Sequence, residues 1–242
     1  MLSAGLAIAR RDLLASFTAP AAWLVLAGWT LVVNTVFAFS LYQFAGTAGS
    51  DVPLYVTALW SGAFLLVLLA PAVTMASFAG ERAQGTMQLL LTVPVREIDL
   101  VIGKFLAAWL TLVAMIAATL PQPVILAFIS ELGGPQLAAG YLGLVLAAAA
   151  CAGIGVWMSL LVDTPIAAYV LTFGILAVLT LVGLGEGDQF LGPVARAIGW
   201  TPRLTPFLRG IVDAGNCCYF LGLAVAGCAL AHGVLRAKRI HG

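Results

Sequence analysis

The sequence predicts an all-α integral membrane protein with six transmembrane helices in a single domain, 1–242. Hydrophobic residues make up 62% of the chain and charged residues only 9%, and the mean hydropathy is +1.09. A soluble domain of this composition would expose large apolar patches. Six apolar stretches each approach the roughly 20 residues that a helix needs to cross about 30 Å of hydrocarbon. They are 21–42, 54–78, 105–129, 141–162, 166–184 and 219–235.

The segment before the first span, 1–20, is predicted to be an interfacial helix. Its apolar residues fall near helical spacing, and Arg10 and Arg11 lie among them. Such a helix lies along the inner membrane surface with its basic residues toward the lipid headgroups. A frayed tail is the alternative for this segment.

Basic residues orient the bundle, because short loops rich in Arg and Lys stay in the cytoplasm. Eight of the eleven lie before the first span, between the second and third spans, or after the last span. With an even number of spans these positions share one side. We therefore expect a multi-pass protein of the bacterial inner membrane with both termini cytoplasmic. The other three basic residues lie in the long outer segment, 185–216.

Several function classes are disfavoured by composition. The net charge is +1 and the basic residues are spread along the chain, whereas nucleic-acid binding needs a concentrated basic face. The polar residues within the predicted spans are not ionisable, which argues against an ion-driven transporter. Cys217 and Cys218 have no CxxC spacing and no nearby histidine, so we expect packing roles and no metal site.

The segment Gly80–Thr86 has the glycine spacing of a phosphate-binding loop but lacks the lysine after the second glycine. It also follows a predicted membrane helix, not a strand, so neither the charge nor the geometry of a phosphate cradle is present. We expect no cofactor in this chain and no enzymatic activity of its own. An ATP-driven process would need a separate ATPase.

An amphipathic, charged insert, 80–97, connects the second and third spans. Apolar residues such as Met87, Leu90 and Leu91 can share one helical face, and Pro94 is expected to stop the helix before the third span. The insert is therefore predicted to be a short cytoplasmic helix. It could dock a partner, or it could simply cover the inner surface of the bundle.

The residues of this insert resemble a known family. The run FAGERAQGTMQLLLTVPV at 78–95, followed by IGKF at 102–105, looks like the coupling-helix region of type-2 ABC-exporter permeases. It is most similar to the gliding-motility and nitrous-oxide-reductase-maturation permeases. Near the C-terminus, PF at 206–207, RGIVD at 209–213 and YF at 219–220 also match what those permeases carry.

The resemblance implies that the insert is a coupling helix seated in a groove of a separate ABC ATPase subunit, two copies of which bind ATP and Mg²⁺. It also implies a second permease subunit, identical or related, contacted through the first and fifth spans. Gly80 and Gln88 stand where the family often has acidic residues. The ATPase-docking candidates are Glu81, Arg82, Gly85, Thr86, Gln88, Leu91 and Pro94.

The outer segment, 185–216, is apolar and divided by prolines. In the resembling permeases this region forms re-entrant helices that help to seal the substrate path. The outer-gate candidates are Arg196, Arg203, Arg209 and Asp213. The arginines could contact an anionic substrate or lipid phosphates, or they could bind carbonyl groups at broken helix ends.

The sequence thus favours the permease subunit of an ATP-driven exporter, with membrane lipids around it. An ATP-driven mechanotransducer that acts on an outer-side auxiliary protein is one alternative. A non-transport scaffold or assembly factor without an ATPase is another.

Overall fold

The computed structural model describes residues 2–18, 20–46, 54–86, 96–129, 134–184 and 198–241, and all regular secondary structure in these ranges is helical. The fold-class prediction is therefore confirmed. In chain order the helices are α1 (Leu2–Thr18), α2 (Pro20–Gly46), α3 (Leu54–Thr74), α4 (Ala79–Ala83), α5 (Glu97–Ala117), α6 (Pro121–Ile129), α7 (Gly134–Leu161), α8 (Pro165–Leu184), α9 (Thr201–Leu208) and α10 (Ala214–His241).

Six stretches in the described residues are long and apolar enough to cross a membrane, as predicted. Two of them combine consecutive helices, since α3 continues through turns into α4 and α5 continues into α6. The six are Trp23–Tyr42, Tyr55–Ala83, Glu97–Ile125, Gly134–Leu161, Pro165–Gly183 and Ala214–Lys238.

The third span is interrupted where its sequence contains two prolines. Helix α5 ends at Ala117, and three turn residues precede Pro121, which opens α6. Proline suits the first turn of a helix because its missing N–H would have no intrahelical partner there. Just after the break, buried Gln122 donates from Nε2 to Asn34 Oδ1 of α2 at 3.2 Å. The interruption thus places a polar contact between two spans.

Helix α7 forms the centre of the bundle. In its most apolar window 78% of the residues are buried, against 17% for α2 and 22% for α8. It packs against α3, α5, α8, α9 and α10. Its middle is rich in alanine and glycine, from Ala147 to Gly155, and small residues let helix backbones approach closely in a membrane. Helices α2 and α8 therefore keep broad apolar faces for lipid or for another protein.

The crossing of α7 and α10 depends on two glycines. A Cβ atom built on Gly153 would lie 2.7 Å from the carbonyl oxygen of Ala224, and one built on Gly227 would collide with the backbone of Gly153. Both contacts are closer than a real Cβ atom tolerates. The two backbones touch here only because neither position carries a side chain.

Helix α1 lies against α5 through a similar close approach. A Cβ on Gly103 would lie 2.8 Å from the carbonyl oxygen of Gly5, and Ala9 of α1 is also buried. Leu6 and Leu14 point away from the bundle and are each 55% exposed. One face of α1 is thus packed on α5, while the other presents apolar side chains to its surroundings.

The α7–α10 crossing gives a test of packing. We expect Gly227→Ala to destabilise the folded chain by about 1–3 kcal/mol, because the added methyl group overpacks the crossing. Gly222→Ala on the exposed side of the same helix has no atom within 4 Å of the new Cβ. That control should be neutral or stabilising by up to about 1 kcal/mol, since alanine is the better helix former. Equilibrium unfolding in mixed micelles measures both, and equal stability of the two variants would contradict the close crossing.

Candidate functional site

The candidate docking segment begins where α3 ends, and a serine from another helix fixes its direction. Helix α3 ends at Thr74, four turn residues follow, and α4 starts at Ala79. Ser159 Oγ of α7 accepts hydrogen bonds from the backbone N–H groups of Phe78 and Ala79, both at 2.9 Å, and donates to the carbonyl oxygen of Met75 at 3.1 Å. Phe78, at the N-cap position of α4, makes no side-chain cap. Ser159 thus caps α4 from a distant part of the sequence.

Arg82 attaches α4 to the C-terminal end of α7. Its guanidinium donates to the carbonyl oxygens of Val162 and Leu160, at 2.9 and 3.2 Å, and to Asp163 Oδ1 at 2.8 Å. Lys238 of α10 donates to the Leu160 carbonyl as well, at 2.7 Å. The last carbonyls of a helix lack intrahelical donors and carry partial negative charge, so cations stabilise that end.

On the other side of α4, a buried ion cluster joins three helices. Lys104 of α5 is only 5% exposed. Its Nζ lies 2.5 Å from Glu81 Oε1 of α4 and 2.9 Å from Asp12 Oδ2 of α1. Arg11 bonds Asp12 Oδ1 at 2.8 Å and approaches Glu81 Oε1 at 3.5 Å, while its own side chain remains 57% exposed. We call Asp12, Glu81 and Lys104 the inner ion cluster, after the membrane side on which the sequence predicts them.

The buried ammonium also faces an aromatic ring, since Lys104 Nζ lies 5.5 Å from the centroid of Phe78. A buried charge is tolerated only with opposite charges and hydrogen bonds around it. Two carboxylates and a ring face surround this one. The inner ion cluster therefore requires α1, α4 and α5 to stay together.

Gly85 and Thr86 terminate α4. Gly85 has a φ of +71°, and its N–H donates to the Arg82 carbonyl at 3.0 Å, while the Thr86 N–H donates to the Glu81 carbonyl at 2.9 Å. These two bonds and the left-handed glycine form a Schellman motif, which ends a helix and turns the chain away. The predicted coupling segment, 80–97, therefore opens with a helix that ends at Ala83. At its far end Arg96 is extended and Glu97 begins α5.

The sequence-based docking residues fall into three groups in the structure. Glu81 and Arg82 are largely buried and bonded to other helices of the chain. Gly85 and Thr86 are exposed. Gln88, Leu91 and Pro94 lie outside the described residues. A contact between any of these residues and an ATPase stays a prediction.

Of the outer-gate candidates, Arg203 and Asp213 bond to the chain itself. Arg203 Nη1 donates to Asn216 Oδ1 at 3.3 Å, and its guanidinium lies 5.7 Å from the ring centroid of Tyr219. Asp213 Oδ2 accepts from the Asn216 N–H at 3.2 Å, which caps α10. These contacts join α9 to the start of α10. Arg209 is exposed, and Arg196 lies outside the described residues.

Sequence reasoning missed the roles of several residues. The sequence alone counts Lys104 among the basic residues that set topology and Ser159 among the polar residues within the predicted spans. Their partners lie more than 20 residues away in the chain, so spacing could not reveal the contacts. The sequence contained one signal for the contact between α1 and α5. Gly103, which precedes Lys104 in the Gly-Lys-Phe motif, has no side chain and lets α1 approach α5 closely.

The inner ion cluster yields a stability prediction. Lys104→Met should cost about 3–5 kcal/mol, because it removes the buried cation that pairs with both carboxylates and leaves Glu81 with only its 3.5 Å contact to Arg11. Arg11→Met should cost no more than about 1 kcal/mol, since its ion pairs are exposed. Thermal denaturation of the purified chain in detergent would show the difference. If both variants melt like the native chain, the cluster does not hold the helices together.

Two comparisons with known proteins bear on this geometry. A family model described as "ABC-2 family transporter protein" matches residues 6–197, a range that includes the inner ion cluster, α4 and the first five spans. No curated protein matches the chain. The match covers well over half of the sequence, so the chain belongs to the ABC-2 transporter family and is a multi-pass transmembrane component of an ABC transporter.

Proposed function

We propose that this chain is the permease subunit of an ATP-driven exporter in the bacterial inner membrane, with both termini cytoplasmic. Family membership implies an ABC ATPase partner. In our proposal two copies of that ATPase bind ATP and Mg²⁺, and a second permease, identical or related, completes the membrane part. The observation that carries the proposal is the double attachment of α4, to α7 on one side and to α5 and α1 on the other.

This attachment suits force transfer from outside the membrane. A push on an exposed helix moves a membrane span only if the helix cannot rotate or slide freely. Ser159 and Arg82 hold α4 on α7, and Lys104 holds it on α5. We propose that ATP-driven closure of the ATPase subunits displaces α4 and with it the inner ends of these spans.

The docking surface, in this proposal, starts on the exposed side of α4 and continues through the chain that follows. Ala83 through Thr86 are exposed, and we include Gln88, Leu91 and Pro94 as the continuation that the family resemblance implies. Glu81 and Arg82 act in coupling as anchors that join the docking surface to the spans. The surface and the anchors can therefore be tested separately.

The second permease is proposed to contact α2 and α8, the first and fifth spans. These helices have the smallest buried shares among the six candidate spans, and many of their large apolar residues are exposed. Exposed examples are Leu24, Leu31 and Phe39 on α2, and Ile166, Val170 and Leu181 on α8. Membrane lipids would cover whatever part of these faces the second permease leaves free.

On the outer side, α9 and the preceding residues are proposed to close the substrate path. Helix α9 ends in a second Schellman motif, with Gly210 at a φ of +87° and the Ile211 N–H bonded to the Pro206 carbonyl at 2.9 Å. Arg203 and Asp213 would hold this closure in place. Arg196 and Arg209 remain candidates for contact with the exported substrate. We also propose, from the sequence resemblance, that the chain is similar in function to the gliding-motility and nitrous-oxide-reductase-maturation permeases.

Two substitutions separate docking from coupling. Ala83→Trp adds bulk to the exposed side of α4, and we expect it to reduce recovery of the ATPase with the tagged chain about tenfold or more, as misfit at a binding hot spot does. Glu81→Ala/Arg82→Ala removes the anchors, so the ATPase should still co-purify while substrate-linked stimulation of ATP hydrolysis is lost. Affinity purification from solubilised membranes, followed by ATPase assay, measures both.

Ala237→Trp, at an exposed position near the inner end of α10, serves as the control and should behave like the native chain. If no ATPase co-purifies with the folded native chain under gentle conditions, the permease proposal fails. A non-transport scaffold or assembly factor is then favoured. If the ATPase co-purifies, and its ATP hydrolysis changes an outer-side protein without transport of a substrate, the complex is a mechanotransducer.

A further inference from the structure

Helices α5 and α10 meet where α5 begins and α10 nears its end. His232 Nε2 of α10 lies 3.8 Å from Glu97 Oε2 of α5. Both helices pack on α7, and each keeps exposed residues next to the contact between them. The two exposed strips border a groove between α5 and α10. This groove is apart from the α2 and α8 faces proposed for the second permease.

The exposed strip of α10 is apolar and ends in a charge. Leu221 and Val225 are 49% and 67% exposed, and Ala229 and Arg236 are exposed as well. Spacings of four, four and seven positions keep all four residues on one side of the helix. His232 lies between the last two on the same side, so this side of α10 reaches the contact with α5.

The strip matches one membrane leaflet in length. Val225 precedes Arg236 by eleven positions, which corresponds to about 16 Å along a helix. The hydrocarbon of one leaflet is about half of the roughly 30 Å core of a bilayer. An acyl chain whose headgroup lies at Arg236 would thus reach Val225.

Helix α5 contributes an apolar edge and a second arginine to the groove. Ile98 and Ile102 are exposed and lie one turn apart. Arg96, at the N-cap position of α5, is exposed as well. Among the described residues, neither its guanidinium nor that of Arg236 has an ion-pair partner.

The exposed charge at this end of the groove is positive. Helix α10 has three basic residues near its end and no acidic residue: Arg236, Lys238 and Arg239. On α5 the carboxylate of Glu97 is only 18% exposed and faces His232. Asp99 belongs to the side of α5 that contacts α1, where its backbone meets that helix. Arg96 and Arg236 are therefore positioned to meet an anion from the membrane.

We propose that the groove between α5 and α10 binds an anionic phospholipid, with its phosphate at Arg96 and Arg236 and one acyl chain along α10. Guanidinium groups donate paired hydrogen bonds to phosphate, and basic residues between spans attract anionic headgroups at the cytoplasmic surface. A zwitterionic headgroup brings its own cation close to the arginines and binds more weakly. The lipid belongs to the cytoplasmic leaflet in the orientation that we propose. Its binding does not depend on an ATPase partner.

Photolabelling of the full-length chain in phosphatidylcholine nanodiscs tests the proposal. The probes are a phosphatidylglycerol and a phosphatidylcholine, each with a diazirine in one acyl chain, and labelled peptides are identified by mass spectrometry. We expect saturable labelling of α5 and α10 by the phosphatidylglycerol probe, about fivefold or more above the phosphatidylcholine probe at equal mole fraction. Equal labelling by the two probes overturns the recognition of an anionic headgroup.

Variants distinguish this site from lipid that simply surrounds the protein. Arg236→Gln should weaken labelling by the phosphatidylglycerol probe about fivefold, and Arg96→Gln/Arg236→Gln about twentyfold or more, because each arginine adds a comparable factor. Lys238 and Arg239 keep this end of α10 basic in both variants. Arg209→Gln removes the same charge from an exposed position after α9 and should label like the native chain. Unchanged labelling of the double variant, or an equal loss in Arg209→Gln, overturns the site.

Discussion

The buried ammonium of Lys104 constrains the end of the bundle where α1 and α4 lie more than any other single group that we describe. At 5% exposure it cannot rely on water, so its charge requires carboxylates at contact distance. Asp12 and Glu81 supply them at 2.9 and 2.5 Å. Because these residues belong to α1 and α4, one charge on α5 determines where the N-terminal helix lies and how the chain leaves the second span.

The neighbouring contacts at this end of the bundle bring the three charged residues together. Gly5 and Gly103 bring α1 within reach of α5, since a side chain at either position would press on the neighbouring backbone. Ser159 and Arg82 hold α4 against α7 from the opposite side. A five-residue helix has little stability of its own, so its position is set by these polar contacts. In the permease that we propose, this makes α4 a suitable link between the ATPase and the membrane spans.

The fold class could be predicted because apolar runs of about 20 residues leave few alternatives to a spanning helix. The family could be predicted from the motif around Glu81 and from the order of the motifs along the chain. The inner ion cluster could not be predicted, because a lysine beside a predicted span is most simply explained as a topology signal. The burial of Lys104 depends on the carboxylate of Asp12, 92 positions earlier in the chain. The end of α4 at Ala83 could in principle be predicted from the sequence, since a glycine just beyond a short helix, here Gly85, is a common stop.

The central claim is that α1 and α4 are held as one unit on α5 by Lys104. Hydrogen exchange of backbone amides in Lys104→Met, compared with the native chain in the same nanodiscs, tests it most directly. The account predicts that peptides from α1 and α4 lose protection together, while the middle of α7 keeps its native exchange rate. Unchanged protection in α4, or loss confined to α1, would contradict the claim and leave the proposed path of force without its link to the third span.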